Sequence, residues 1–205
     1  MKSKKDLWVV MSIEEIFTQC HFAKIAYSNI DPKAKKGTDL VFSSIHSFLS
    51  HCTMVSKMLK AHDDDQFQPQ FFLRKLISFF SGHNTIDSIS IGSILGVSPN
   101  SVIHKRKFRN NLEHYDERLK NWIKKFPSNI NIGTHNIGNK DLIKGKMLFV
   151  SHYDPSSDNF TFVNEDFNLG ELCSEVSIIK SKAADWVSKM QGGLLTSPFM
   201  PKSSS

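Results

Sequence analysis

Residues 108–116 read F-R-N-N-L-E-H-Y-D. Arg109, Asn110 and His114 place a guanidinium, a carboxamide and an imidazole close together, just after the basic run H-K-R-K that begins at His104. Each group suits one part of phosphate chemistry. A guanidinium is a planar fork that offers a phosphate two charge-assisted hydrogen bonds. A carboxamide both donates and accepts, which is enough to orient a neighbour. An imidazole, with an ordinary pKa of ~6.5, gives and takes protons near neutrality. Whether the three act together depends on the element that carries them.

Ser98-Pro99 has the form of an N-cap followed by proline at the first helical position. Nothing breaks the run before Pro127, which predicts a helix of about 28 residues, roughly 40 Å long. At about 100° per residue, Phe108, Leu112, Tyr115, Leu119, Trp122 and Phe126 share one stripe, the side expected to face the core. Arg109, Asn110 and His114 centre nearly opposite, beside Glu113, Glu117 and Lys120. On that phase His114 is not a core histidine. Composition alone would leave an ordinary solvated face.

The spacing Arg109-Asn110-x-x-x-His114 resembles the R-x(4–6)-H motif of HEPN domains, in the form with asparagine directly after arginine. The resemblance covers about residues 98–126 and draws on the late helix, the outward phase and the adjacent basic cluster. It implies an all-helical bundle that often dimerises, so that the motif helices of two subunits form a composite cleft. Many such domains are metal-independent endoribonucleases in toxin–antitoxin, abortive-infection and CRISPR systems. Some carry H-x-Y with a tyrosine that is adenylylated; here Tyr115 follows His114 directly and Asp116 holds the H-x-Y position.

RNA cleaves when its 2′-hydroxyl attacks the adjacent phosphorus, and the motif residues suit that reaction. His114 is expected as general base or acid, Arg109 as phosphoryl clamp and Asn110 as positioner. A single copy supplies one histidine for two proton transfers, so a homodimer with a composite active site is expected. Lys105, Arg106 and Lys107 are expected to hold flanking phosphates, with salt-sensitive binding. The expected function is therefore an endoribonuclease, a defence or toxin effector, with RNA and, for a toxin, an antitoxin protein as partners. The alternative is a non-catalytic HEPN-like module that binds RNA, nucleotide or protein; a third reading places function in a hairpin or dimer surface. No cofactor and no metal are expected.

The rest of the chain must position these groups. Its 205 residues, 40% hydrophobic and 22% charged, suit one ordinary domain. The net charge of +6 permits an anionic partner. No apolar run approaches the ~18–20 residues of a membrane span. The start is too short in apolar residues for a secretory signal, so the chain is read as cytoplasmic. Cys20, Cys52 and Cys173 form no C-x-x-C pair and are read as reduced residues on apolar stripes.

Ser12-Ile-Glu-Glu15 has capping-box spacing, and Ile13, Ile16, Phe17 and Cys20 follow at helical intervals up to Asp31-Pro32. A second helix starts near Thr38, with a stripe of Val41, Ile45, Phe48, Leu49, Cys52, Val55 and Leu59. A shorter one follows Pro69, and residues 83–97 fit a buried turn or a short helix. N-I-N-I-G-T-H-N-I-G-N-K, dense in asparagine and glycine, predicts a loop. M-L-F-V-S-H-Y, D-P-S-S-D-N and F-T-F-V predict a β-hairpin at about 146–163. Asn168-Leu-Gly-Glu171 opens a last helix with a stripe of Leu172, Val176, Ile179, Ala183 and Met190.

The sum predicts an all-α fold, a HEPN-like bundle of about four principal helices with a small appended β-hairpin. It forms one domain over 1–193, with a disordered tail at 194–205. His62-Asp63-Asp64-Asp65 and Lys33–Lys36 are read as solvated turns. His46 and His51 have poor spacing for two metal ligands, and His135 and His152 stand alone in loop or strand.

Overall fold

A computed structural model of the chain describes residues 4–31, 37–60, 90–105, 114–126, 131–139 and 147–190. Among them α1 (Lys4–Ser28) and α2 (Thr38–Leu59) are long, α3 (Ile91–Ile94) is a single turn, and α4 (Tyr115–Ile123) is short. Four strands follow, β1 (Asn131–Ile137), β2 (Met147–Asp154), β3 (Asn159–Phe162) and β4 (Glu165–Asn168), and then α5 (Leu169–Met190). The helix after Pro69, the Lys33–Lys36 cluster, the His62–Asp65 run and the 194–205 tail lie outside the described residues.

The long helices form where apolar residues recur every three or four positions. On α1, Ile13, Ile16, Cys20 and Ala23 are fully buried; on α2, so are Ile45, Phe48, Cys52 and Val55; on α5, so are Val176, Ile179 and Ala183. The helix α1 lies against both α2 and α5. Only one end differs from the expected pattern: α1 begins at Lys4, and Ser12 is a buried residue within it rather than an N-cap. Val9 and Val10, buried against the same core, extend the apolar stripe one turn back. The start of α5 is as its sequence suggests, since Asn168 Oδ1 accepts the Glu171 N–H at 2.7 Å and so satisfies one open amide.

The all-α expectation does not hold. Among the described residues there is a four-stranded mixed sheet in the order β1-β2-β3-β4, and the fold is α+β. The hairpin is present as the antiparallel pair β2–β3, with Tyr153 opposite Phe160. It is the middle of a sheet, not an appendage. On one side β1 pairs parallel to β2, from Asn131↔Met147 to Ile137↔Tyr153. The segment expected as a loop is thus an edge strand, largely exposed, held by its backbone ladder more than by side-chain burial. On the other side β4 returns through a two-residue turn, Val163-Asn164, with φ of 50° and 65°. Paired positive φ values match the twist of a hairpin. Valine is a costly residue there, and its N–H is fixed by the Val150 carbonyl at 2.9 Å.

One face of the sheet closes on the helices. Phe160 meets Phe42 of α2 edge-on, with ring centroids 6.2 Å apart, and Tyr153, Phe160 and Phe162 are buried. The joint is Asp158, in the turn between β2 and β3. Its carboxylate accepts the Tyr27 hydroxyl at 2.6 Å and the Tyr153 hydroxyl at 2.8 Å. Its carbonyl accepts the Leu169 N–H at 2.9 Å. One residue therefore ties α1, β2 and the start of α5. Its φ of 53° is left-handed, a region that aspartate tolerates better than most residues. Gly170 makes the approach feasible, because a Cβ there would lie 2.9 Å from Asp158 Oδ2.

Burial, followed by the hydrogen bond to Asp158, raises the pKa of both Tyr27 and Tyr153 above the ordinary 10.0. The folded chain keeps these protons more tightly than the unfolded chain, so their contribution is complete below pH 10 and declines as pH rises past it. Asp158→Ala is expected to lower the unfolding free energy by about 2–4 kcal/mol, and Asp158→Asn by about half as much, since the bonds lose their charge assistance. Urea unfolding at neutral pH measures both. Tyr27→Phe should also flatten the alkaline decline, and equal costs for the two Asp158 variants would contradict the clamp.

Candidate functional site

Of the motif residues, Arg109 and Asn110 lie outside the described residues, as do Arg106 and Lys107. His114 and Lys105 are described. His114 is the N-cap of α4, with φ −121° and ψ 39°, and its side chain makes no capping hydrogen bond. Its side chain is 57% exposed, with Nδ1 3.7 Å from Glu117 Oε2. Its carbonyl accepts the Arg118 N–H and so starts the helix. Asp116 and Glu117 occupy the first turn, where negative charge suits the helix dipole.

The uninterrupted helix expected over 98–126 is not formed. Ser98 does turn the chain, as its Oγ accepts the Asn100 N–H at 3.2 Å and its carbonyl the Ser101 N–H at 3.0 Å. That turn leads only to a 3₁₀ turn at Val102–His104, capped by Ser101 Oγ. Lys105, with ψ of 115°, has left helical geometry. Tertiary contacts explain the departure. Ser101 also donates to Glu175 of α5, and Ile103 is fully buried, so the chain is pinned to the bundle at both residues. Local hydroxyls that bond the backbone compete with an α-helix in the same way. The helix therefore does not start at Ser98, but within 114–126 Trp122 is buried, Leu119 and Phe126 pack against the core and His114 is exposed, which is the phase expected.

Short as it is, α4 is anchored. Trp122 is 3% exposed and meets Phe126 edge-on at 5.0 Å, while Leu119 packs at the margin of the core. These are the described members of the expected apolar stripe. Arg118 Nη1 donates to Glu165 Oε1 of β4 at 2.7 Å, with both side chains mostly covered. His114 thus stands at the head of a helix held by a tryptophan and an ion pair.

Lys105 is exposed, and its Nζ lies 3.6 Å from Glu171 Oε2, also exposed. An exposed pair of this kind holds its partners only weakly. Lys105 therefore remains available to an anionic ligand. Nearby, Lys60 at the end of α2 donates to the His104 carbonyl at 3.4 Å. Lys60 was not legible as a neighbour of the basic cluster, because only folding brings it there. Glu117 had a local signal, the i,i+3 spacing from His114.

The other histidines have structural surroundings. His51 Nδ1 donates to Gln19 Oε1 at 2.7 Å. His135 stacks on Phe42 with centroids 4.3 Å apart, and His46 meets Phe160 edge-on at 6.2 Å. His152 is buried, and Asn136 Nδ2 donates to its Nδ1 at 2.9 Å. Among the described residues no group of three or more His, Cys, Asp or Glu is arranged to hold a metal ion. The thiols are free: Cys20 and Cys52 are buried and Cys173 is half-buried. Distant in sequence, they are near enough in the fold that Cys20 and Cys173 both act on Cys52. Burial pushes the Cys20 thiol up to about 12, so it is protonated and unreactive near neutrality. No described helix is long and apolar enough to cross a membrane. No family model, no curated protein and no solved structure matches the chain.

Burial, with His135 as a second cause, lowers the pKa of His46 below the ordinary 6.5. The unfolded chain then binds a proton more readily, so the stabilisation is complete above pH 6.5 and is lost as the pH falls below it. The urea midpoint should therefore drop between neutral pH and pH ~5. His46→Gln should make that drop shallower, and an unchanged slope would remove His46 from the account.

Proposed function

We propose that this protein is a metal-independent endoribonuclease acting through the Arg109-Asn110-x-x-x-His114 motif. The observation that carries the proposal is the position of His114: solvent-exposed at the head of an anchored helix, clear of the apolar core. A group that exchanges protons with a substrate must be reached by it, and an imidazole buried in the bundle would have ended the reading. The HEPN resemblance contributes the motif alone, since the sheet is not part of the fold it implied.

In the proposed reaction His114 takes the proton from a ribose 2′-hydroxyl. The O2′–P bond forms as the P–O5′ bond breaks. The partner subunit's His114 gives a proton to the departing 5′-oxygen. The products are a 2′,3′-cyclic phosphate and a free 5′-hydroxyl. Arg109 holds the phosphoryl oxygens while negative charge builds on them, and Asn110 orients the phosphate or the imidazole. Glu117, near Nδ1, favours the tautomer with hydrogen on that nitrogen, which leaves Nε2 as the base. Lys105, with Arg106 and Lys107, holds flanking phosphates. A homodimer completes the site, and the activity is that of a cytoplasmic defence or toxin effector restrained by an antitoxin protein.

The test incubates wild-type protein, Arg109→Ala and His114→Ala with single-stranded RNA in the presence of a chelator. The wild type should release fragments ending in 2′,3′-cyclic phosphate. Each variant should lose activity by about 10²-fold or more, the scale of a lost proton-transfer group. RNA retained but uncut by the wild type would leave a binding module in place of the enzyme. Unimpaired cutting by His114→Ala would overturn the assignment.

A further inference from the structure

Where α2 ends, α3 and the 3₁₀ turn border a half-open cavity of about 420 Å³. Its lining divides by chemistry. Leu59, Val97 and Pro99 are apolar, whereas Lys60, Ser90, Ser93 and His104 bring an ammonium, two hydroxyls and an imidazole. The volume lies within the range of small-molecule sites, and an apolar wall with a few polar groups is their usual make-up.

The polar groups have capacity to spare. Ser90 Oγ accepts the Ser93 N–H at 3.2 Å and lies 3.0 Å from Ser93 Oγ. Two hydroxyls that share one hydrogen bond still have a second hydrogen to donate. Lys60 uses one N–H on the His104 carbonyl, which holds the ammonium at the cavity and leaves two. His104 contributes its ring to the lining, with Nδ1 itself covered by protein. Burial first, and Lys60 second, lower the His104 pKa, while Glu175 opposes them. Its ring is therefore neutral near pH 7.

The wall is also firm. Gly92 packs so close to α2 that a Cβ would lie 2.9 Å from the Leu59 carbonyl oxygen. A cation with hydroxyl donors suits a phosphate. A neutral imidazole beside proline, valine and leucine suits the edge and face of a flat heterocycle. Lys105, exposed and next in sequence to His104, would carry an adjoining phosphate.

We infer that this cavity binds a nucleoside phosphate, with the phosphate at Lys60 and the serine hydroxyls and the base at His104 and the apolar wall. Resting on the ribonuclease proposal, the natural source is one nucleotide of the RNA strand, seated beside the basic cluster. The pocket would then set which base is accepted there.

The experiment uses the full chain carrying His114→Ala, so that RNA remains intact. The His104 imidazole resonances are followed by NMR during titration with 5′-AMP, with 5′-UMP and with inorganic phosphate, and then with single-stranded RNA. The nucleotides should shift His104 at millimolar concentration, and inorganic phosphate alone should do so much less. Lys60→Gln, a change at an exposed residue, should weaken nucleotide binding about tenfold, the scale of one lost contact. RNA that displaces the mononucleotide supports the polymer as the source; a nucleotide that binds without competition from RNA supports a free one. His104 resonances unmoved by every nucleotide and by RNA would overturn the inference, as would an equal response to inorganic phosphate. Cleavage is not read in this experiment, so a chain that binds here but cuts nothing would sink the ribonuclease proposal and leave the pocket standing.

Discussion

The carboxylate of Asp158 gives this architecture a direction that its apolar contacts do not supply. A helix pair buries its stripe without direction, but a sheet laid on helices must be fixed in angle and position as well. Two phenolic hydroxyls on one carboxylate supply that direction, one from α1 and one from β2. The same residue's carbonyl starts α5 by accepting the Leu169 N–H. Charge-assisted bonds in a half-covered site are stronger than neutral ones, and here α1 and β2 share them. The left-handed backbone at Asp158 and the missing side chain at Gly170 serve that one junction.

Much that bears on chemistry is placed through the sheet that this junction holds. Strand β4 presents Glu165 to Arg118, and through that pair α4 is fixed to the sheet while Trp122 fixes it to the core. His114 therefore inherits its position from a chain of contacts: clamp, hairpin, β4, α4. Elsewhere α5 receives the 98–105 segment through Ser101–Glu175 and Lys105–Glu171. Lys105 and His114 thus meet different elements, Lys105 the start of α5 and His114 the head of α4.

The sequence was most legible where burial alone determines structure. Val41, Ile45, Phe48, Leu49, Cys52, Val55 and Leu59 define α2 by their period, and every one of them is buried. It was least legible where backbone pairing or a distant partner decides. The asparagines and the glycine of 131–137 suggested a loop because their side chains bury little, yet a parallel edge strand needs only its amides and carbonyls to find a neighbour. Val163-Asn164 carries none of the usual glycine signal for a two-residue turn, and its positive φ values are imposed by the pairing on either side. Ser98-Pro99 did mark a turn, but the bond from Ser101 to Glu175 spans 74 residues and could not be read locally. The cavity beside His104 is of the same kind. Lys60, Ser90 and His104 carry no shared spacing, and only the docking of three short segments makes them neighbours.

For the candidate site, the expected helix was wrong at its start, since the chain is not helical at Lys105, while over 114–126 the expected phase is kept, with Trp122 buried and His114 exposed. What places the imidazole in solvent is a boundary: an N-cap residue projects from the end of its helix, while the Trp122 side of α4 turns to the core. Asp116 and Glu117 share the first turn of α4. Glu117 Oε2 lies 3.7 Å from Nδ1, an exposed pair that holds its partners only weakly, so the imidazole keeps its freedom to turn in solvent.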